Sequence, residues 1–170
     1  MSTKKEKIII SPNGSLFFNE KNFQCAIGKG GVSDNKYEGD GTTPSGCFLI
    51  RKIYYRSDCI DKIDTIIQTQ ILVKDDGWCD DPKDLNYNKF VKLPYPANTE
   101  NLYKDDHSYD IIAVLGFNDE PVIPGKGSAI FLHIASSDYS PTEGCIALSK
   151  EDILEILKEV SKDTLICITK

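Results

Sequence analysis

Short apolar segments separated by turn residues dominate the sequence. The first two lie within residues 7–18 and flank Ser-Pro-Asn-Gly at 11–14, where Asn-Gly supplies the positive φ angles of a tight hairpin turn. Runs rich in Ile, Val, Leu and aromatic residues predict further strands within residues 22–27, 46–55, 65–73, 109–117, 128–135 and 164–169. The pattern predicts a mainly β, mostly antiparallel domain.

One helix is indicated near the carboxyl end. Ser149 fits an N-cap position, Asp152 follows three residues later, and the apolar residues of 153–160 recur at helical spacing. The expected architecture is therefore an antiparallel β-sandwich or barrel-like fold with one principal C-terminal helix.

Residues 74–107 break this pattern, because they contain three prolines, many Asp and Asn residues and little periodicity. A loop of this length in a compact domain is usually functional, which predicts a lid or a substrate wall. Trp78, the only tryptophan, lies in this stretch. Two interpretations stay open for it: an anchor packed on the core, or a wall of a substrate groove.

Length and charge narrow the class of protein. The 170 residues predict a single domain, 1–170. The net charge of −6 and the presence of only two arginines argue against nucleic acid as a partner. The apolar run at 8–10 is too short for a signal peptide or a membrane span, so we expect no membrane association and a cytoplasmic location.

The six cysteines bear on redox state and on metals. In a reducing cytosol we expect all six to be free thiols. The chain has no C-x-x-C motif and only two histidines, so the sequence predicts no metal site, and no motif implies a cofactor.

The strongest chemical signal is a histidine and a cysteine on successive apolar runs. His133 ends the run at 128–135 and Cys145 begins the next. If the two runs pair antiparallel, both side chains share one face with Cβ atoms about 5 Å apart. An imidazole there takes the proton of the attacking thiol, and the N–H groups of Gly144 and Cys145 are expected oxyanion donors. The alternative is that Cys145 is an inert core residue.

Two ordered motifs resemble a known family. Gly-Asp-Gly-Thr-Thr-Pro-Ser-Gly at 39–46 is followed later by Phe-Leu-His at 131–133 and Thr-Glu-Gly-Cys-Ile at 142–146. This order resembles the L,D-transpeptidase catalytic domain, the YkuD-like family. The resemblance implies a mostly β cysteine enzyme that acts on peptidoglycan stem peptides. Its thiolate attacks the carbonyl of the third, diamino-acid residue and expels D-alanine; the thioester then passes to an amine or to water.

Carried over by position, the resemblance makes Cys145 the nucleophile, His133 the general base and Gly144 the glycine before the nucleophile. It also implies acylation by carbapenem-type inhibitors. Two positions depart from the family pattern: Glu143 replaces a histidine, and Ala147 stands where an arginine is usual. The missing arginine leaves the substrate carboxylate without its bidentate partner. Four cations are candidate replacements: Arg51, Arg56, Lys29 and Lys126.

Four side chains are predicted to bind substrate, namely Glu143, Trp78, His107 and Arg51. Glu143 lies beside the nucleophile, where it is a surface residue, orients His133 or binds the substrate amine. His107 is either a solvated loop residue or a substitute for the imidazole that the family has at position 143.

The sequence therefore predicts a cysteine acyl-transfer enzyme that acts on stem tetrapeptides and finishes with water, as an L,D-carboxypeptidase of murein recycling. The expected cytoplasmic location favours hydrolysis, because cross-linking takes place outside the cytoplasm. Three alternatives stay open: a cross-linking L,D-transpeptidase, a binding module that has lost the chemistry, and a different cysteine peptidase.

Overall fold

The computed structural model describes residues 6–170 and contains short strands and one helix. The strands are β1 (Lys7–Ser11), β2 (Ser15–Phe18), β3 (Lys21–Gln24), β4 (Val32–Ser33), β5 (Thr43–Pro44), β6 (Gly46–Tyr55), β7 (Thr69–Ile71), β8 (Asp76–Cys79), β9 (Lys89–Lys92), β10 (Thr99–Asn101), β11 (Ile111–Leu115), β12 (Phe131–Ile134), β13 (Ile146–Leu148) and β14 (Leu165–Ile168). The helix α1 spans Lys150–Glu159. The predicted mainly β fold with one C-terminal helix is confirmed.

One large sheet organises the chain in the order β13-β12-β11-β6-β14-β1-β2-β3, with β7 pairing β6. β6 links the two halves of this sheet, because its first residues pair with β14 and its last residues pair with β11. The hairpin predicted around residues 11–14 is formed by β1 and β2. Within its turn, Gly14 has a φ of +83°.

The two ends of the large sheet approach each other and nearly close it into a barrel. Just after β3, the N–H of Ala26 donates to the carbonyl of Ala147 in β13 (2.8 Å), and the reverse bond measures 3.0 Å. The N–H of Thr142 donates to the carbonyl of Ile27 (2.9 Å). These bonds hold the segment before β13 against the first half of the chain.

β12 and β13 are parallel neighbours, which corrects the antiparallel pairing that the sequence suggested. His133 lies opposite Ala147, and Leu132 lies opposite Ile146. Parallel strands need a crossover connection, which residues 135–145 provide without forming a helix or a strand. The antiparallel interpretation is wrong because the direction in which two strands pair depends on the path of the connection between them, which the sequence does not reveal.

Residues 74–107 are not the structureless loop that the sequence indicated. They contain β8, β9 and β10, which form a three-stranded sheet with β8 in the centre. This small sheet packs on the large one through aromatic contacts, among them Trp78 against Phe131 with ring centroids 5.1 Å apart. The strands are only three or four residues long, too short for alternation to be recognised.

The helix is capped as predicted. Ser149 is the N-cap, and its hydroxyl accepts a hydrogen bond from the N–H of Asp152 (3.1 Å). The helix packs on the main hydrophobic core through three buried residues, Ile153, Ile156 and Leu157. In residues 6–170, no helix has the length and apolar composition that a membrane crossing requires.

Two cysteines correct the expectation of six free thiols. Cys47 in β6 and Cys167 in β14 lie opposite each other in the antiparallel register, with Cα atoms 4.0 Å apart, and form a disulfide. Cys25, Cys59, Cys79 and Cys145 are free thiols. The pairing depends on two strands that are 120 residues apart in the chain, so no local pattern indicates it.

Candidate active site

His133 and Cys145 line the same cavity, which has a volume of about 520 Å³. Residues from five parts of the chain form its walls: the segment around Lys36, the small sheet, the turn before β11, β12 with the residues just before it, and the crossover before β13. The sequence therefore identified two residues that the tertiary structure brings to one cavity. The two side chains do not lie opposite each other on antiparallel strands. Cys145 immediately precedes β13, and His133 lies within β12, which pairs with β13 in parallel.

The His133 ring is oriented by its own strand and by one aromatic neighbour. Its Nδ1 lies 3.0 Å from the carbonyl oxygen of Ile134, which fixes the proton on Nδ1 and leaves Nε2 as the basic nitrogen. Tyr109 packs edge-on against the ring, with centroids 5.3 Å apart. Burial lowers the pKa of His133, although the bond to Ile134 partly opposes this. The imidazole is therefore neutral at pH 7 and able to accept a proton.

The Cys145 sulfur is held by backbone groups at the base of the cavity. Its thiol donates to the carbonyl of Ala129 (3.1 Å), and its sulfur accepts from the N–H of Phe131 (3.4 Å). Burial raises the pKa of the Cys145 thiol to about 12, with the charge of Glu100 acting in the same direction. With His133 neutral as well, the resting pair is thiol and imidazole rather than thiolate and imidazolium.

This protonation state predicts how Cys145 reacts with iodoacetamide. Below a pKa of about 12, the thiolate fraction grows about tenfold with each pH unit, so the alkylation rate should rise steeply through the neutral and alkaline range. Mass spectrometry of the Cys145 peptide against time at several pH values measures this rate. Cys59, which is partly exposed and lies outside the cavity, serves as the internal reference. A rate independent of pH above about 6 would instead show a preformed thiolate–imidazolium pair.

The backbone conformation at the cavity wall requires a glycine at position 144. Its φ is +144°, and a Cβ added there would lie 2.7 Å from the carbonyl oxygen of Thr42. Thr43 holds the same segment, since its hydroxyl donates to the carbonyl of Gly144 (2.9 Å) while accepting from the N–H of Gly28 (2.8 Å). The two sequence motifs therefore meet in space, with 39–46 supporting the backbone before the cysteine.

A buried ion pair between Lys36 and Asp40, which the sequence did not indicate, lies beneath this wall. The Lys36 ammonium donates to Asp40 Oδ1 (2.8 Å) and to the carbonyl of Thr42 (2.7 Å), and both side chains of the pair are 5% exposed. Burial alone would raise the pKa of Asp40, but hydrogen bonds from Lys36, Tyr37 and Thr42 lower it to about 2. A Cβ on Gly144 would lie 3.3 Å from Lys36 Nζ, so this cation adjoins the nucleophile segment.

Charges of both signs line the rest of the cavity. Lys104 donates to Glu100 Oε1 (3.1 Å) and lies 4.0 Å above the Tyr109 ring, and Tyr109 also donates to Glu100 (2.6 Å). Asp80 lies on the same wall, and its pKa is raised by burial, by Glu38 and by Glu100. Lys36, Lys104 and Glu100 were not singled out from the sequence.

Trp78 and Arg51, which were both predicted to bind substrate, lie outside this cavity. Trp78 is buried, donates from Nε1 to Asn88 (3.0 Å) and anchors the small sheet, which corrects its assignment as a groove wall. Arg51 donates from Nε to Asp119 (2.9 Å) and lines a different pocket, so it does not replace the family arginine. The sequence alone does not show on which side of the sheet a single aromatic residue or a single cation will lie.

His107 and Glu143 have contrasting positions. His107 Nδ1 lies 2.9 Å from Asp110 Oδ2, and its ring does not line the cavity, so it does not substitute for the histidine that the family has at position 143. Glu143 does lie at the cavity rim, where its exposed carboxylate pairs with Lys29 at 2.9 Å. A substrate-binding role for Glu143 stays a prediction.

Arg56 does not line the cavity and is bound to other groups. Its guanidinium forms two hydrogen bonds to Asp58 and one to the carbonyl of Lys104 (2.9 Å). None of the four cations considered from the sequence lines the cavity, although Lys29 pairs with Glu143 at its rim. Within residues 6–170, the cations that line the cavity are Lys36 and Lys104.

Comparison with known proteins supplies the family. Among solved structures, an L,D-transpeptidase from Mycobacterium smegmatis is 13% identical, with 96% of this chain and 58% of that chain covered and a TM-score of 0.43. The helical cell shape determining protein Pgp2 from Campylobacter jejuni is 17% identical, with 96% and 47% covered and a TM-score of 0.38. The chain thus spans less than two thirds of these solved chains, and no curated protein matches its sequence significantly. The family model for the L,D-transpeptidase catalytic domain (YkuD) matches residues 2–168, and the chain therefore belongs to that family.

Proposed function

We propose that this protein is a cysteine acyl-transfer enzyme that acts on peptidoglycan stem tetrapeptides and releases the terminal D-alanine. The observation that carries the proposal is the cavity in which the Cys145 sulfur, the His133 ring and charges of both signs meet. A stem tetrapeptide with a diamino acid at its third position offers complementary groups, an amine and a terminal carboxylate. Lys36 and Lys104 suit the carboxylate, and Asp80 and Glu143 suit the amine.

The reaction begins from the neutral pair. As the thiol attacks the substrate carbonyl, His133 Nε2 takes its proton, and a carbon–sulfur bond forms. The Gly144 N–H already donates to the hydroxyl of Thr142 (3.1 Å), so the Cys145 N–H is the better oxyanion donor of the two predicted. The peptide carbon–nitrogen bond then breaks, the imidazolium protonates the leaving D-alanine amine, and a thioester remains on Cys145.

We assign water as the acceptor of the acyl group. Attack by water on the thioester, with His133 again as base, yields the tripeptide acid and the free thiol. A cavity of about 520 Å³ is the size that accommodates one ligand. Hydrolysis needs only one peptide in that space, so the L,D-carboxypeptidase reaction is compatible with the size of the cavity.

Incubation with a defined tetrapeptide, with and without an excess of a second stem peptide as amine acceptor, tests this function. We expect free D-alanine and tripeptide in equal amounts, unchanged by the acceptor, as measured by liquid chromatography with mass spectrometry. A cross-linked dimer would instead identify a transpeptidase, and cleavage of ordinary all-L peptides would identify a different cysteine peptidase. A carbapenem should add its mass to the Cys145 peptide alone.

A second candidate function is a binding module without turnover. The observation that favours it is the resting state of Cys145, whose thiol is buried, neutral and hydrogen-bonded to the backbone of Ala129 rather than to His133. For such a module, calorimetry would detect tetrapeptide binding while no D-alanine is released and no carbapenem adduct forms.

A further inference from the structure

A cluster of three potential metal ligands lies outside the catalytic cavity. Cys59, His107 and Asp110 each direct a ligand atom to one point, with all three atoms within 4.8 Å of one another. From the sequence we expected no metal site, because histidines are few and no C-x-x-C motif occurs. The fold brings together residues that are up to 51 positions apart.

Two turns linked by the backbone build this cluster. In the first, the N–H of Cys59 donates to the carbonyl of Arg56 (3.1 Å), and in the second, the N–H of Asp110 donates to the carbonyl of His107 (3.3 Å). The N–H of Arg56 donates to the carbonyl of Asp110 (2.9 Å) and joins the turns. The relative position of the three side chains is therefore set by main-chain bonds.

The geometry fits metal coordination better than proton transfer. The Cys59 sulfur lies 3.8 Å from His107 Nδ1, and Asp110 Oδ2 lies 2.9 Å from the same nitrogen. A catalytic relay uses both ring nitrogens, whereas here the thiol and the carboxylate face one nitrogen. Around tetrahedral zinc, sulfur and nitrogen ligands lie about 3.6 Å apart and nitrogen and oxygen ligands about 3.4 Å apart. Shifts of about 0.5 Å or less would satisfy both separations.

An independent observation also points to a ligand. The Asp110 side chain is 7% exposed, and its Oδ1 is a buried side-chain oxygen without a hydrogen-bond partner among residues 6–170. A buried carboxylate oxygen normally has a partner, because leaving it unpaired is costly. A cation bound by both oxygens of this carboxylate, Oδ2 and Oδ1, would supply that missing interaction.

The cluster is open to solvent, and the nearest cation is already paired with another carboxylate. The His107 side chain is 67% exposed, and Cys59 is partly exposed, so an ion has a path to the site. The neighbouring Arg56 guanidinium is paired with Asp58, which offsets its positive charge. One thiol, one imidazole and one carboxylate form a donor set that suits a borderline-soft divalent cation and leaves one position for water.

We propose that Cys59, His107 and Asp110 bind a divalent transition-metal ion of the zinc type. Cys59 binds as the thiolate and releases its proton to the solvent. The inference goes beyond the proposed acyl transfer and does not depend on it. The ion would stiffen the turn at 107–110, whose Ser108 and Tyr109 line the catalytic cavity, so it would act as a structural support for that wall.

Titration of the full chain with Co²⁺, in a buffer without thiols or chelators, tests the proposal. We expect one ion per chain and a thiolate-to-cobalt charge-transfer band, with displacement of the cobalt by Zn²⁺. Cys59→Ser should abolish the band, and His107→Gln should weaken cobalt binding by at least about 100-fold. Both positions are at least partly exposed, so these variants should fold. Asp110→Asn should also weaken cobalt binding. Because Asp110 is buried, this variant is compared with the wild type only if their circular dichroism spectra match.

The matched control is Cys145→Ser, which removes the other thiol near a histidine and should leave the band and affinity unchanged. Absence of binding by the wild type would overturn the proposal. Equal binding by Cys59→Ser and wild type, or loss of the band in Cys145→Ser, would do the same, since the ion would then occupy another site. As a second readout, Zn²⁺ should raise the thermal midpoint of the wild type and leave that of His107→Gln unchanged.

Discussion

Replacing Cys145 with serine is expected to reduce D-alanine release from the stem tetrapeptide by at least about 10⁴-fold. A serine hydroxyl is a far weaker nucleophile than a thiol and a weaker acid, so His133 removes its proton less readily. The serine still donates to the carbonyl of Ala129, as the thiol does, so the fold should persist. Turnover measured by chromatography, with circular dichroism and a urea titration on the same sample, checks both expectations.

Two further variants test whether this loss of turnover comes from the thiol–imidazole reaction. His133→Gln removes the base and should lower turnover by about 10²- to 10⁴-fold. Cys25→Ala removes another buried thiol, which packs in the main core and does not line the cavity, and should retain the wild-type rate per folded molecule. Wild-type turnover by Cys145→Ser would refute the thiol mechanism outright.

Lys36→Met is expected to destabilise the protein by about 3–5 kcal/mol. The substitution keeps most of the side-chain volume but removes the ammonium that pairs with Asp40 and bonds the carbonyl of Thr42. Asp40 would then remain as a buried carboxylate without a counter-charge. The free energy of unfolding from urea titration at neutral pH measures the effect, and the slope of the transition shows whether the folded state stays compact.

Lys29→Met is the matched control, because Lys29 also pairs with a carboxylate near the cavity, that of Glu143, but in an exposed position. Solvent screens such a pair, so this variant should change the free energy of unfolding by less than about 1 kcal/mol. The double variant Lys36→Met with Asp40→Asn should be less destabilised than the sum of the single variants, since it leaves no unpaired charge. Equal effects of Lys36→Met and Lys29→Met would contradict the assignment of a buried pair.

Much of the local structure follows from local sequence. The hairpin of β1 and β2, the long strand β6 and the capped helix α1 were predicted because each depends on residues close together in the chain. The sequence also singled out His133 and Cys145 through residue type and position at the ends of apolar runs. The family resemblance, which rests on two short motifs, is confirmed by the match over residues 2–168.

The sequence by itself thus determined the mainly β class, the single helix and the two residues on which the chemistry is proposed to depend. The tertiary structure alone decided the parallel pairing of β12 and β13, the disulfide between Cys47 and Cys167, and the lysines that line the cavity. It also placed Trp78, Arg51 and His107 outside that cavity. The physical reason is that strand order and side-chain neighbours arise from contacts between segments far apart in the chain, which propensities and periodicity do not encode.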